Sequence, residues 1–168
     1  MPILSDYARK RKITYFFKGL SNRSRILEVG CGRGWLGSHL KSIGFTDYVG
    51  LDVAGTADVV GSVLEWKGLG IEPASFDVIV AFELIEHVDC VQEMFDMLKP
   101  GGVLMLTSPI PHMDWLCLLL EWFGLCQKRT SPHSHLTYFM DLPLFEPIDI
   151  KIVAGIAQWG KFRKPIIT

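Results

Sequence analysis

Residues Arg25 to Gly37 read RILEVGCGRGWLG, an apolar run with one acidic residue, Glu28, that breaks into Gly30, Gly32, Gly34 and Gly37. The run reads as a β-strand. Glycine-rich backbone that leaves a strand and enters a helix makes a cradle for a ligand. Glycine accepts positive φ and carries no Cβ, so the chain turns sharply and leaves bare backbone for a ligand to lie on. The following helix turns its free N–H groups and the positive end of its dipole toward the same place.

Outward from this stretch, strands and helices alternate. Strands are expected at Arg25–Val29, Tyr48–Val53, Ala57–Gly61, Phe76–Ala81 and Val103–Thr107, with Ile148–Ala154 and a last strand within Ile156–Ile167 following. Helices are expected at Ser5–Leu20, Trp35–Ile43 (closed by Gly44), Ile85–Leu98 and Asp114–Leu125, with a further turn at Phe139–Leu144. Too few residues separate the second and third strands for a helix between them. The alternation implies an α/β fold with a mostly parallel sheet, helices on both faces and an antiparallel C-terminal edge strand. Ligands of such sheets bind outside the C-terminal strand ends, where Glu28, Gly30, Gly32, Asp52, Ser62 and Phe82 all fall.

The chain has 168 residues, 49% of them hydrophobic, with a mean hydropathy of +0.26 and a formal net charge of −1. That suits one packed domain, residues 1–168, and excludes a disordered chain or a strongly polyanion-binding one. Cys31, Cys90, Cys117 and Cys126 show no C-x-x-C spacing and read as reduced thiols of a cytoplasmic protein. The N-terminus lacks the apolar core of a secretory signal. The most apolar run, Trp115 to Cys126, is interrupted by Glu121 and is shorter than the roughly 20 residues of a membrane span. The ARKRK run at Ala8–Lys12 reads as a solvated helix face.

The glycines admit two ligands. Gly32, Gly34 and Gly37 satisfy G-x-G-x-x-G, and Asp52 follows Gly32 by 20 residues, as the ribose-binding acid of a dinucleotide site does. Glu28, Gly30, Gly32 and Gly34 equally satisfy E-x-G-x-G-x-G. A carboxylate at the strand tip repels a pyrophosphate and attracts an ammonium group, so this second pattern suits a cationic ligand such as S-adenosylmethionine.

Four blocks in order, ILEVGCGRG, YVGLDV, FDVIVAFELIEHV and MLKPGGVLMLTSP, resemble the motifs of the class I S-adenosylmethionine-dependent methyltransferases. They resemble especially the small-molecule enzymes similar to those of ubiquinone and menaquinone biosynthesis. The resemblance covers most of Ile26–Pro109 and implies a single-domain, Rossmann-like methyltransferase fold with S-adenosyl-L-methionine as cofactor. It places Glu28, Gly30, Cys31 and Gly32 around the methionine end, Asp52 on the ribose hydroxyls and Val53 against the adenine. Gly34, Val63, Phe82 and Glu83 complete the implied cofactor set. The family often has Gly-Asp after the third strand where this chain has Gly61-Ser62, so Ser62 is left with the adenine contact. Residues 1–24 become an N-terminal helical segment and 110–146 a substrate-side cover.

Methyl transfer needs a base only if the acceptor must lose a proton. His87, in the Glu86-His87 pair, is one candidate; His133 and His135, in SPHSHLTYF, resemble the segment over the acceptor pocket. No metal is expected, because H-x-H on a loop, even with His112, is a weak ligand set without a nearby carboxylate or cysteine pair. The apolar Trp115, Leu116, Leu119, Leu120 and Phe123 recur at helical spacing and read as a helix packed on the sheet, though they also suit a hydrophobic acceptor. The expected function is methylation of a small-molecule, hydrophobic acceptor. The rivals are a cofactor-binding but catalytically idle partner subunit and an NAD-binding oxidoreductase. A nucleic-acid acceptor is disfavoured by the lack of an N/D-P-P-Y-type motif after the fourth strand and by a pI near 6.5.

Overall fold

The structure, a computed structural model, describes residues 3–123, 133 and 135–166. Seven strands form one sheet: β1 (Ile26–Val29), β2 (Tyr48–Asp52), β3 (Val59–Val60), β4 (Phe76–Phe82), β5 (Leu98–Pro109), β6 (Glu146–Val153) and β7 (Ala157–Arg163). Their order is β3-β2-β1-β4-β5-β7-β6. The first five run parallel and β7 is antiparallel to both its neighbours. The expected fold class is therefore the observed one. The C-terminal strand is antiparallel as expected but lies between β5 and β6, and β6 forms the margin.

All four residues of β1 are buried, as the middle of a two-faced parallel sheet requires. Alternation then sorts the central strands. Leu27, Ile79, Ala81, Leu104 and Leu106 join Met94, Met97, Phe139 and Phe162 on one face. Ile26, Val78, Val80 and Met105 meet Phe16, Phe17, Leu36, Leu40 and Trp159 on the other. Phe16 and Phe17 come from α1 (Ile3–Phe17), Leu36 and Leu40 from α2 (Trp35–Ser42), and Met94 and Met97 from α3 (Val91–Met97).

Four expectations are corrected. The helix expected over Ile85–Leu98 is cut to α3; its first part is a turn closed by the N–H groups of His87 and Val88 on the Leu84 carbonyl, and Cys90 leaves helical geometry. Glu83 at φ +53 starts this departure, and the short polar side chain of Asp89 favours a break over a continuing helix. The strand expected at Val103–Thr107 extends to Leu98–Pro109, because Leu98 pairs with Phe76 before a register shift brings Val103 opposite Val78. Lys12, placed on a solvated face, is 9% exposed; its spacing of four from Phe16 turns it inward.

The fourth correction concerns α4 (Asp114–Trp122). It was expected to pack on the sheet, yet Trp115, Leu118, Leu119, Trp122 and Phe123 are exposed. Both sheet faces are already covered by the other helices, and α4 leaves from the strand ends. The side chain of Cys117, all of Cys126, and the expected helix end at Leu125 lie outside the described residues. Among those residues no helix is long and apolar enough to cross a membrane.

One contact ties the helical layer to the site. A Cβ built on Gly37 of α2 would lie 2.4 Å from the Tyr48 ring, so the helix sits directly on β2. Gly37→Ala is expected to destabilise the fold by about 1–3 kcal/mol, the usual cost of overpacking. Thermal unfolding checks this; an unchanged midpoint would mean that Tyr48 swings aside without cost.

Candidate functional site

The parallel strands end together on one rim. Val29 pairs with Leu51, so Gly30 and Asp52 leave the sheet at the same level. Gly30, Gly32 and Gly34 all adopt positive φ, at +76°, +52° and +70°. For Gly32 and Gly34 a Cβ would meet nothing within 4 Å, so their requirement is conformational and the space above them is open. The loop closes with the Gly34 N–H donating to the Cys31 carbonyl at 2.9 Å. α2 then starts without a side-chain cap.

Asp52 clamps this loop. Its carboxylate accepts the Gly32 N–H at 2.7 Å and the Ala54 N–H at 2.9 Å. Neither contact was read from the sequence, although a carboxylate beside glycine-rich backbone is the expected acceptor. Glu28 lies beneath, 2% exposed, accepting a hydrogen bond from the Tyr48 hydroxyl. Burial first, and the Asp52 charge second, push its carboxyl up to about 8 against the opposing effects of Tyr48 and Lys12. Burial likewise raises the Cys31 thiol to about 11, which disfavours its thiolate. Val53 is 76% exposed beside the loop. Ser62 accepts the Leu64 N–H at 3.3 Å and caps the 3-10 segment Val63–Leu69, in which Val63 is buried.

The β4 end carries Phe82 and Glu83. Glu83 is half-exposed and accepts hydrogen bonds from Lys12 Nζ at 2.8 Å and Thr107 Oγ1 at 2.7 Å. Burial would raise this carboxyl, but the Lys12 ammonium outweighs it and holds Glu83 below the usual carboxylate range. Lys12 also lies 5.0 Å from the Phe82 ring centroid and 3.0 Å from Thr107 Oγ1. This residue of the site was missed in the sequence; its helical spacing from Phe16 was the available signal.

Next to this pair is a second cluster. Glu86 is 1% exposed, neither carboxyl oxygen has a hydrogen-bond partner among the described residues, and burial plus the Glu83 charge push it up to about 8. The His87 and His133 rings lie 4.8 Å apart. His133 Nδ1 is 2.6 Å from Asp114 Oδ1. Glu86, His87 and His133 bring ligand-type atoms within 4.8 Å of one another, donors able to hold a divalent cation or to share a proton. The premise that the histidine loop lacks a nearby carboxylate is thus overturned in space by Glu86 and Asp114. His135 is not brought into the cluster. It is exposed, donates its backbone N–H to the Glu86 carbonyl at 3.1 Å, and borders a cavity of about 240 Å³ with Ile85, Thr137 and Leu142. His112 is 3.0 Å from the Tyr138 hydroxyl. A larger cavity, about 470 Å³, lies where the parallel strands begin, between Trp66, Ile71, Asp96 and Lys164. It is remote from the chemistry of the rim.

A family model described as a methyltransferase domain matches residues 5–141. The ubiquinone biosynthesis O-methyltransferase of Roseobacter denitrificans is 34% identical over 162 residues, covering 89% of this chain and 56% of that protein. The mitochondrial enzyme of that name from Mus musculus is 26% identical over 186 residues, covering 98% of this chain and 44% of that protein. The chain spans about half the length of such curated relatives. Among solved structures, a Pyrococcus horikoshii OT3 protein shares the fold with a TM-score of 0.66 at 16% identity, covering 94% of this chain and 90% of that one. A geranyl diphosphate methyltransferase in complex with S-adenosylmethionine does so with 0.69 at 11% identity, covering 94% and 84%.

Proposed function

This chain belongs to the class I S-adenosylmethionine-dependent methyltransferase family, and from that premise we propose that it methylates a hydroxyl oxygen of a small-molecule acceptor. The rim suits the cofactor. Open space over Gly32 and Gly34 admits it, the exposed Val53 offers a surface for the adenine, Asp52 has lone pairs for ribose hydroxyls, and Glu28 is a carboxyl for the ammonium. Cys31, Ser62, Val63, Phe82 and Glu83 border the same seat. When bound, the cofactor supplies an electrophilic methyl group on a sulfonium.

The observation that carries the oxygen acceptor is the pairing of His133 with Asp114. A carboxylate cannot donate, so the proton of the neutral imidazole lies on Nδ1 and Nε2 is left as a basic lone pair. His133 Nε2 then accepts the acceptor's hydroxyl proton as the oxygen becomes a nucleophile, and Asp114 steadies the resulting imidazolium. The relatives' printed activity, O-methylation, supports the same reading. Release of S-adenosylhomocysteine on incubation with dihydroxyaromatic acceptors tests it. Cofactor binding without turnover of any acceptor would favour an idle partner subunit; binding of NADH with none of S-adenosylhomocysteine would favour the oxidoreductase.

Glu28 yields a separate prediction. With its carboxyl at about 8, the empty site at pH 7 holds the proton by roughly ten to one. An ammonium ligand favours the carboxylate, so binding expels that proton and affinity rises as pH rises toward 8. Titration calorimetry in buffers of different ionisation enthalpy is expected to show about one proton released. Glu28→Gln is expected to abolish that release and weaken binding by about 1–3 kcal/mol. Unchanged affinity in a folded variant would remove Glu28 from the cofactor site.

A further inference from the structure

β6 is the margin of the sheet: β7 pairs with one side of it, and no described strand pairs with the other. The N–H and C=O groups along such a margin are a template for another strand. The usual devices against that pairing, a proline and a shift of register, are confined to the start of β6, between Pro147 and Asp149. From Asp149 to Val153 the pairing with β7 is regular. Alternation sorts this run. Ile150 and Ile152 fall on one face, where Ile150 packs on the core and Ile152 is 55% exposed; Ile148, just before them, is 45% exposed. Asp149 and Lys151 fall on the other face, and both are exposed. There the Tyr15 hydroxyl donates to one oxygen of Asp149 at 2.8 Å, and Lys151 Nζ stands 6.0 Å from the Tyr15 ring centroid.

The second observation is that this order of charges is complementary to itself. When two identical strands meet antiparallel about a two-fold axis, the residue on the axis fixes every pair. With Ile150 on the axis, Asp149 of each copy lies opposite Lys151 of the other, and Ile148 lies opposite Ile152. Both kinds of cross-strand pair, opposite charges and β-branched side chains, are favourable. With Asp149 on the axis two carboxylates would meet, and with Lys151 on it two ammonium groups. Of these three registers charge selects the middle one, and it counts each favourable pair twice. The occupant that fits this edge is therefore a second copy of the same chain.

We propose that two copies of this chain join edge to edge along β6, antiparallel with Ile150 on the two-fold axis, into one continuous sheet of seven strands from each copy. Val153 lies at the rim end of β6, since it pairs with Ala157, which also pairs with Pro109. The two rims then face opposite ends of the joined sheet, and the interface stands apart from both cofactor seats and from the choice of acceptor. The test is sedimentation velocity across a dilution series. Wild type is expected to pass from monomer to dimer with a Kd on the order of micromolar, as a small interface gives. Lys151→Asp sets carboxylate against carboxylate and Asp149→Lys sets ammonium against ammonium, so each is expected to raise that Kd about tenfold or more. Mixed in equal amounts, the two variants regain opposite charges at both pairs and are expected to form a heterodimer about as tight as the wild-type dimer. A wild-type circular dichroism spectrum verifies that each variant is folded. Wild type that stays monomeric at every concentration overturns the proposal. So does a dimer that either variant forms as tightly as wild type does, which places the contact elsewhere, and so do folded variants that stay apart when mixed.

Discussion

Replacing His133 by alanine is expected to lower kcat by a factor of about 10²–10⁴, the range supplied by a positioned general base. The ring is held in one orientation: Asp114 Oδ1 lies 2.6 Å from Nδ1, and only 6% of the His133 side chain is exposed. Affinity for S-adenosylhomocysteine should stay near that of wild type, because His133 is no part of the glycine loop. Asp114→Asn is expected to fall in the same direction, since an amide can donate and so permits the wrong tautomer. A His133→Ala enzyme with wild-type kcat would make the ring structural and leave the proton to His87 or to solvent.

Asp52→Ala is expected to weaken cofactor binding by about 2–4 kcal/mol, because it removes two things together. One is the carboxylate offered to the ribose hydroxyls. The other is the clamp on the Gly32 and Ala54 N–H groups at 2.7 and 2.9 Å, without which the loop must be ordered by the ligand itself. Asp52→Asn keeps one acceptor oxygen and is expected to fall between. Titration calorimetry with S-adenosylhomocysteine reads both. A loss confined to a few tenths of a kcal/mol would show that Asp52 aids cofactor binding neither directly nor through the loop.

Much of this site was legible along the chain because the glycine loop and its acids are local to strand ends. A strand buried on two faces must read as a continuous apolar run, and a loop at positive φ must be written in glycine. The glycine turn at Gly30, Gly32 and Gly34 beside Asp52 was therefore legible as backbone, as were the central strands. The break at Glu83–Cys90 was not legible, since Ile85–Leu98 satisfies helical spacing while Glu86 is drawn into a buried cluster that only other segments complete. The contact of Lys12 with Glu83 spans 71 residues and that of Asp114 with His133 spans 19; pattern along a sequence carries no information on either distance.

The amino-acid sequence alone determined the parallel α/β sheet, the rim on which a ligand sits and the family of the chain, because hydrophobic period, glycine placement and motif order are one-dimensional properties. Only the tertiary structure decided that α4 stands off the sheet and which histidine has a carboxylate. An apolar stripe at helical spacing reads the same whether it is buried or waiting for a partner. Here the two sheet faces were already filled, and the stripe remained outside. Likewise H-x-H is chemically weak until folding sets Asp114 and Glu86 beside His133, where a fixed hydrogen bond orients the ring.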